Sequence, residues 1–473
     1  MDDYRRIADR LADEITTGRL KPGERLPPQR VFARRRGIAG STAGRVYAEL
    51  VRRGLVVGEV GRGTFVRAAP APTGRALVEA ATAAPVNLEL NYPSAPGQSE
   101  LLAPTLAPLL RPDVLTDALR PAPATGTEPA RKAAAVLLAT PGWRPAPDQV
   151  LFTGNARQAI AATLASLVRP GGRLGVEPLT YPLVKEIAAR LGIGLVALAA
   201  DEGGVRPESV AAVHRGTPLS ALYLQPTLHN PTSRTMASER MRQLADVIGE
   251  LNIPVVEDRI WSFLAAPSSG LSPAPSSGLS PAPSSGLSPD PLAAHASGLS
   301  PDPLAAHAPG LTHLIDGLSK RVAPGLTVGF VVVPEERVEA VAAAVRSGGW
   351  SAGRFAMEAA VRWIGDGTVR RLVEAKRADA AHRQRIVGEE LRGFAVRSDP
   401  RAFFAWWELP APWRADTFTA AAAAHGIAVT PGPAFAVDPG RTPDAVRLGL
   451  ASAPEPDLRR ALRTLAGVAR GTP

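Results

Sequence analysis

With 473 residues, 45% of them apolar, the chain is too long for one ordinary core and is expected to hold two or three domains; it has no cysteine, which excludes disulfides and thiolate metal sites. No apolar run approaches the length of a membrane span and the first twenty residues are charged, so a cytoplasmic protein without membrane contact is expected. The net charge of +10 is unevenly placed: residues 1–68 carry fifteen Arg or Lys against eight acids, a net +7 that leaves +3 for the other 405 residues, and such concentration is the footprint of a nucleic-acid-binding module.

In "YRRIADRLADEITTGRL", Ile7, Leu11 and Ile15 recur at i, i+4, i+8, one apolar stripe on a helix that Gly18 ends. "KPGERLPPQRVFARRRG" follows with a Pro-Gly turn and a Pro-Pro helix start, offering Val31 and Phe32 to a core. After a turn at Gly37–Gly40, "STAGRVYAELVRRG" predicts a helix with Val46, Leu50 and Val51 facing inward and Ser41, Thr42 and Arg45 near its start. "LVVGEVGRGTFV" predicts two short strands about a glycine-rich tip. Helix, helix–turn–helix and hairpin make a winged helix, whose second paired helix can enter a major groove while the tip reaches the neighbouring backbone.

This stretch resembles the GntR-family DNA-binding domain over about 65 residues, most closely in "GRLKPGERLPPQR" and "GRGTFV". The resemblance implies double-stranded DNA as a partner, with Arg30 on a phosphate or base edge, Ser41 and Thr42 on phosphates, and Arg62 and Gly63 at the wing tip. Many members of that family carry an arginine where this chain has Gly40, so either Arg45 takes over readout or the operator differs. Arg34–Arg36 fit a solvated helix face equally well.

The winged helix is expected to occupy 1–68, and an Ala/Pro-rich linker 69–85. Further on, "SSGLSPAP" occurs twice in tandem from Ser268, and "SGLSPDPLAAHA" occurs at Ser285 and again at Ser297. Each unit lacks core residues, so 267–309 is expected to be a disordered or loosely attached surface loop without a catalytic role. A core tolerates such a loop because closure entropy grows slowly with length.

From Val86 onward short apolar strands alternate with Ala/Leu-rich helices: "QVLFTG" then "ARQAIAATLASLV", "RLGVE" then "PLVKEIAARLG", "LSALYLQP" then "MRQLADVI", followed by "PVVEDRIW" and "GFVVVP". The alternation predicts an α/β fold with a largely parallel sheet, with a smaller C-terminal subdomain from about residue 345. Ligands in such sheets bind at the carboxyl ends of strands, where the polar signatures fall. Their order resembles that of the fold-type I aminotransferases, a pyridoxal 5′-phosphate-dependent family. By that resemblance Gly154, Asn155 and Ala156 form the phosphate-cradling turn, Tyr181 stacks on the pyridine ring, and Asn230 bonds its phenolic oxygen. Asp258 keeps the ring nitrogen protonated, Trp261 stands where a tyrosine is usual, and Lys320, after Ser319, is the Schiff-base amine. Arg447 clamps a substrate or effector carboxylate. The histidines show no metal-ligand spacing, and no metal is expected.

Two departures bear on the chemistry. Gly317 stands where a serine is common and Thr327 where an arginine on the phosphate is common, with Arg321 or a residue of a partner subunit the candidate substitutes. A GntR-type winged helix fused to an aminotransferase-like domain is the architecture of the MocR-type transcription regulators. That resemblance implies a head-to-tail homodimeric regulator that binds DNA and senses an amine or amino acid. Two alternatives stay open: a working aminotransferase with an accessory DNA-binding domain, and a regulator whose large domain no longer binds cofactor.

Overall fold

A computed structural model describes residues 3–16, 19–20, 23–52, 55–59, 63–66, 84–265, 302–438 and 443–472. The chain divides into two units, Met1–Leu90 with Ile386–Arg397 and Ala405–Pro473, and Asn91–Arg385 with Ser398–Phe404. In the first, α1 (Asp3–Thr16) precedes β1 (Arg25–Leu26), α2 (Gln29–Arg36) and α3 (Gly40–Arg52). The hairpin of β2 (Val56–Glu59) and β3 (Gly63–Val66) then completes an antiparallel sheet in the order β1–β3–β2. Pro28 precedes α2, and Gly37 ends it in the left-handed conformation that glycine adopts without strain. Ile7, Leu11, Phe32, Val46 and Leu50 are buried together as expected. Val51 is not among them: it is 48% exposed, and Ala43 and Tyr47 take the inward stripe that Val46 and Leu50 continue. Spacing decides this, since 43, 46, 47 and 50 share one helical face and 51 begins to turn off it. The expected helix end at Gly18, residues 69–83 of the expected linker and Arg62 lie outside the described residues.

Strand β4 (Val86–Asn87) belongs to the same unit. The second unit begins with α4 (Gln98–Leu106), α5 (Pro112–Ala118) and α6 (Glu128–Leu138). It continues as β5 (Val150–Thr153), α7 (Ala156–Leu167), β6 (Arg173–Val176), α8 (Pro182–Arg190) and β7 (Gly194–Ala197). After the small hairpin of β8 (Ala200–Asp201) and β9 (Gly204–Val205) come α9 (Pro207–Gly216), β10 (Ala221–Leu224), α10 (Ser238–Leu251) and β11 (Val255–Asp258). Strand β12 (Thr312–Gly317) leads into the one-turn helix α11 (Leu318–Arg321), then β13 (Gly329–Val332), α12 (Val338–Ser347), α13 (Arg354–Gly365) and α14 (Thr368–Glu390).

Seven strands form one sheet in the order β5–β13–β12–β11–β10–β6–β7. Neighbours from β12 to β7 run parallel, and β13 runs antiparallel to both β12 and β5. Strands β5, β10, β11, β12 and β13 are buried at every residue, which is why β5, β10 and β13 read as nearly continuous apolar runs, while β11 and β12 bury polar side chains at Glu257, Asp258, His313 and Asp316. Helices α12 and α13 pack on α7 and α6, burying Val341, Val345, Met357 and Trp363, so residues 345–385 belong with the large sheet. The small subdomain expected from about 345 therefore gathers its own residues only from Ile386.

The repeat region also differs from expectation. Residues 266–301 lie outside the described residues, but 302–309 are an integral part of the unit. Leu304 joins Leu222, Leu244 and Val255 in a buried cluster, and Asp302 Oδ1 accepts a hydrogen bond from Gly142 N at 2.8 Å. The last repeat copy supplies a core leucine, so the loop ends earlier than its sequence periodicity does.

Back in the first unit, β14 (Ala395–Ser398), β15 (Phe404–Glu408), β17 (Thr430–Pro431) and β18 (Ala445–Gly449) form a sheet in the order β14–β15–β18–β17. Strand β16 (Ile427–Ala428) pairs in parallel with β4, and α15 (Ala415–Ala424) and α16 (Glu455–Arg470) complete a core around Trp407, Phe418 and Leu462.

Candidate functional site

The polar residues of the large sheet stand at the carboxyl ends of β5, β6, β10, β11 and β12. Asp258, the last residue of β11, is buried and accepts three hydrogen bonds: Tyr223 Oη at 2.6 Å and Gln225 Nε2 at 2.8 Å on Oδ2, and Ile260 N at 3.0 Å on Oδ1. The Gln225 backbone N–H also donates to Glu177 Oε1 at 2.8 Å and its Oε1 accepts from Asn230 N at 3.3 Å, so one residue, through its backbone and its side-chain amide, ties three strand-end loops together. Burial pushes the Asp258 carboxyl up, against the hydrogen bonds of Tyr223, Ile260 and Gln225 that favour its charge. Burial likewise pushes Glu177 up to about 8. Near Asn230 the backbone is strained, with Leu228 and Ser233 at φ 48° and 60°, a conformation costing on the order of 1 kcal/mol each.

Lys320 stands on α11. Its Nζ donates to Asn91 O at 2.7 Å and lies 4.1 Å from the centroid of the Tyr92 ring and 5.3 Å from that of Trp261. Trp261 is itself 5.5 Å from Phe404, edge to face. The turn carrying Lys320 is held by a second lysine: the wholly buried Lys376 of α14 donates to Lys320 O, Arg321 O and Val322 O at 3.1, 3.1 and 2.7 Å. Ser319 is half-buried on the same turn. Arg321 points elsewhere, its guanidinium paired with Asp316 and 5.3 Å from the Phe263 ring.

At the end of β5, Gly154 and Asn155 lead into α7, which opens at Ala156. Asn155 Oδ1 accepts from Gln158 N at 3.1 Å and caps the helix, whose first N–H groups have no partner within the helix and face the positive end of its dipole. Gly317 and Gly329 stand opposite each other in the β12–β13 pair. A Cβ at Gly317 would lie 2.9 Å from Val328 O, and one at Gly329 would lie 2.4 Å from Thr153 Oγ1 and 2.5 Å from the Asn155 carbonyl carbon. The glycine at 317 is therefore a packing requirement of this strand pair, and a serine there would need the backbone to shift. Thr327 Oγ1 and Asn230 Oδ1 are buried without a hydrogen-bond partner among the described residues. Tyr181 lies half-buried immediately before α8.

Arg447 lies on β18 in the other unit, where it donates to Glu89 O at 2.7 Å and Thr430 Oγ1 at 3.0 Å. On the winged helix, Arg30 is exposed on α2; Ser41 and Arg45 are exposed and Thr42 half-buried at the start of α3. The Arg45 guanidinium sits 4.0 Å over the Tyr4 ring of α1. Gly63 opens β3 at φ 123°, with Arg25 Nε 2.6 Å from where a Cβ would be. No group of His, Asp or Glu among the described residues is arranged to hold a metal, and no helix among them is long and apolar enough to cross a membrane.

Residues 119–465 match the family of class I and II aminotransferases, and residues 3–66 match the gntR family of bacterial regulatory proteins. The chain belongs to the class I and II aminotransferase family. It is 27% identical over 447 residues to the HTH-type transcriptional regulator YdeF of Bacillus subtilis, covering 94% of this chain and 90% of that protein. With the HTH-type transcriptional regulator YdcR of Escherichia coli it shares 23% over 465 residues, 92% of each chain. An archaeal alanine:glyoxylate aminotransferase superposes with a TM-score of 0.69 at 17% identity, over 81% of this chain and 90% of that one. The α-aminoadipate aminotransferase LysN of Thermus thermophilus does so with 0.67 at 21% identity, over 82% and 92%. The chain thus joins a gntR-type DNA-binding domain to an aminotransferase fold.

The cofactor of the class I and II aminotransferases is pyridoxal 5′-phosphate, and the residues present fit it. No cation pairs with the buried Asp258 among the described residues, and a protonated ring nitrogen is the partner such a carboxylate lacks. Asn230 and Thr327 offer unsatisfied polar atoms, and the start of α7 suits a phosphate. When bound, the cofactor supplies an electron sink. Asp258 and Asn230 would hold the ring, and Lys320 Nζ, between Tyr92 and Trp261, would be the amine presented to it. Sequence reasoning missed Asn91–Tyr92, Glu177, Gln225, Gly329 and Lys376. Scarcity was the available signal for Lys376, since the chain has five lysines and an apolar helix face is an unusual place for one.

Proposed function

We propose that this chain is a MocR-type transcription regulator. Its winged helix binds double-stranded DNA through Arg30, Ser41, Thr42, Arg45 and the wing at Arg62–Gly63. Its aminotransferase-like domain holds pyridoxal 5′-phosphate through the Lys320 amine and senses an amine or amino acid. The protein works as a head-to-tail homodimer, so that a change at Lys320 alters the spacing of two winged helices. The observation that carries this reading is the Lys320 amine, held by one carbonyl and two aromatic faces in the same unit as the buried Asp258, which no cation pairs with among the described residues, in a chain whose residues 3–66 match a gntR-type domain.

Sensing is favoured over turnover because no arginine stands at position 327 and the neighbouring Arg321 is already paired with Asp316. The test is to add pyridoxal 5′-phosphate to the purified protein, record the visible spectrum, reduce with borohydride and locate the modified lysine. Labelling at Lys320, its loss in Lys320→Ala, and loss of effector-dependent operator binding in that variant are expected. A folded protein whose Lys320 stays unlabelled overturns the cofactor assignment. Steady conversion of an amino acid with a keto acid would replace sensing by catalysis.

A further inference from the structure

A cavity of about 100 Å³ lies in the large-sheet unit, walled by residues from α6, the ends of β11 and β12, α11, α13 and α14. Lys320 does not line it, but its neighbour Arg321 does. Consecutive residues of α11 thus serve different places: Lys320 Nζ is held by Asn91, Tyr92 and Trp261, and Arg321 faces the cavity beside Asp316. One wall is apolar, from Leu138, Phe263, Val369 and Val373. The rest is charged and unbalanced, with four guanidiniums, Arg259, Arg321, Arg370 and Arg377, against the lining carboxylates Asp316 and Glu374. Arg259 is paired with the buried Glu257, which still leaves an excess of positive charge.

Arg377 donates to Phe263 O at 2.7 Å and is pushed down to about 10 by burial and by the neighbouring Arg321 charge, with Glu374 opposing that shift, so a further anion arriving there would ease the contact with Arg321. The cavity also adjoins the machinery that holds Lys320. Helix α14 walls it with Arg370, Val373, Glu374 and Arg377, and from the same stretch Lys376 reaches the carbonyls of Lys320, Arg321 and Val322.

We propose that this cavity is a second ligand site, separate from the Lys320 site, for a small molecule with one carboxylate and an apolar body. Its carboxylate binds between Arg370 and Arg377, its body lies against Phe263 and Val373, and occupancy stiffens the turn that carries Lys320. The volume suits a group of several heavy atoms, since a single water needs about 10–15 Å³ by the same measure. Fixed guanidiniums in a partly dry wall favour a carboxylate over its neutral amide.

The full chain without added cofactor is titrated with benzoate in a calorimeter, with benzamide as the uncharged control; the outcome does not depend on whether Lys320 holds a cofactor. Saturable one-to-one benzoate binding is expected, with benzamide weaker by roughly tenfold. Val373→Trp, which fills the cavity, abolishes binding. Arg370→Glu at the exposed mouth weakens it by about fivefold without changing the melting temperature, which covers the case in which the tryptophan variant misfolds. Lys320→Ala keeps the affinity within about twofold. Benzoate also slows hydrogen exchange in the peptide covering 318–328, and this effect is absent in Arg370→Glu at the same concentration. No saturable binding, equal binding of benzamide, or binding untouched by Arg370→Glu overturns the proposal. Loss of binding in Lys320→Ala would place the anion at the Lys320 site instead, and unchanged exchange at 318–328 would refute the link to it.

Discussion

At the carboxyl ends of the large sheet, Gln225 bonds Glu177, Asp258 and Asn230, and Lys376 bonds three successive carbonyls, all in the buried interior. On the winged helix, by contrast, Ser41 and Arg45 stand exposed at the start of α3 and Arg30 stands exposed on α2. The first region is held largely by its own chain, since a polar atom left bare in the interior costs about 1–3 kcal/mol, with Asn230 Oδ1, Thr327 Oγ1 and Glu177 Oε2 among the exceptions. The second needs few internal partners, because water satisfies exposed polar groups. Substitutions should therefore divide, those at the strand ends changing chiefly stability and its pH dependence, those on α2 and α3 chiefly binding and its salt dependence.

The largest effect is expected from Lys376→Met. It leaves three buried carbonyls without their donor and costs on the order of 3 kcal/mol, read as a fall in the denaturation midpoint at unchanged m-value. Because those carbonyls belong to Lys320, Arg321 and Val322, borohydride-fixed cofactor on Lys320 should also drop by about tenfold. Lys376→Arg, long enough to bond part of the turn, should recover some labelling. Full labelling in a destabilised Lys376→Met would reduce Lys376 to a scaffold residue and weaken the contrast between the two regions.

Next comes Glu177→Gln. The folded carboxyl is raised to about 8 from 4.5 by burial, so between those values the folded chain holds a proton that the unfolded chain has released. Its contribution to stability is present in full below about pH 4.5 and is lost as pH rises through 8. The glutamine variant lacks this slope: it should match the parent near pH 5 and exceed it near pH 8 by on the order of a few kcal/mol. Thermal melts across that range decide it, and parallel pH profiles for the two proteins would show that Glu177 ionises freely.

Much of this was legible in the sequence because periodicity and order carry it. Continuous apolar strands marked the buried sheet, and Gly154, Asn230, Asp258 and Lys320 follow strands in a fixed order. What was not legible depends on pairing in space. Gly317 looked like a lost ligand until its register against Gly329 revealed the absence of room for a Cβ. Arg321 looked available until Asp316, five residues earlier on β12, claimed it. Leu304 sat in a repeat that suggested no core at all, and Tyr92 lies 228 positions before the lysine that it faces. A period reports one element's face, and none of these contacts lies within one element.

The smallest effects test the other half of the comparison. Arg30 is exposed and should behave as a phosphate contact: Arg30→Ala is expected to leave the melting temperature unchanged and to weaken binding of duplex DNA. The slope of log affinity against log salt should fall by about one, because one fewer counterion is released. Arg45 differs although it stands on the same domain, since its guanidinium packs 4.0 Å over Tyr4. Arg45→Ala should cost about 0.5–1 kcal/mol of stability in addition to any change in binding. Fluorescence anisotropy over a salt series, with a melt for each variant, separates the two arginines. A salt slope unchanged by Arg30→Ala would remove that side chain from the interface and leave α3 to carry the DNA contact.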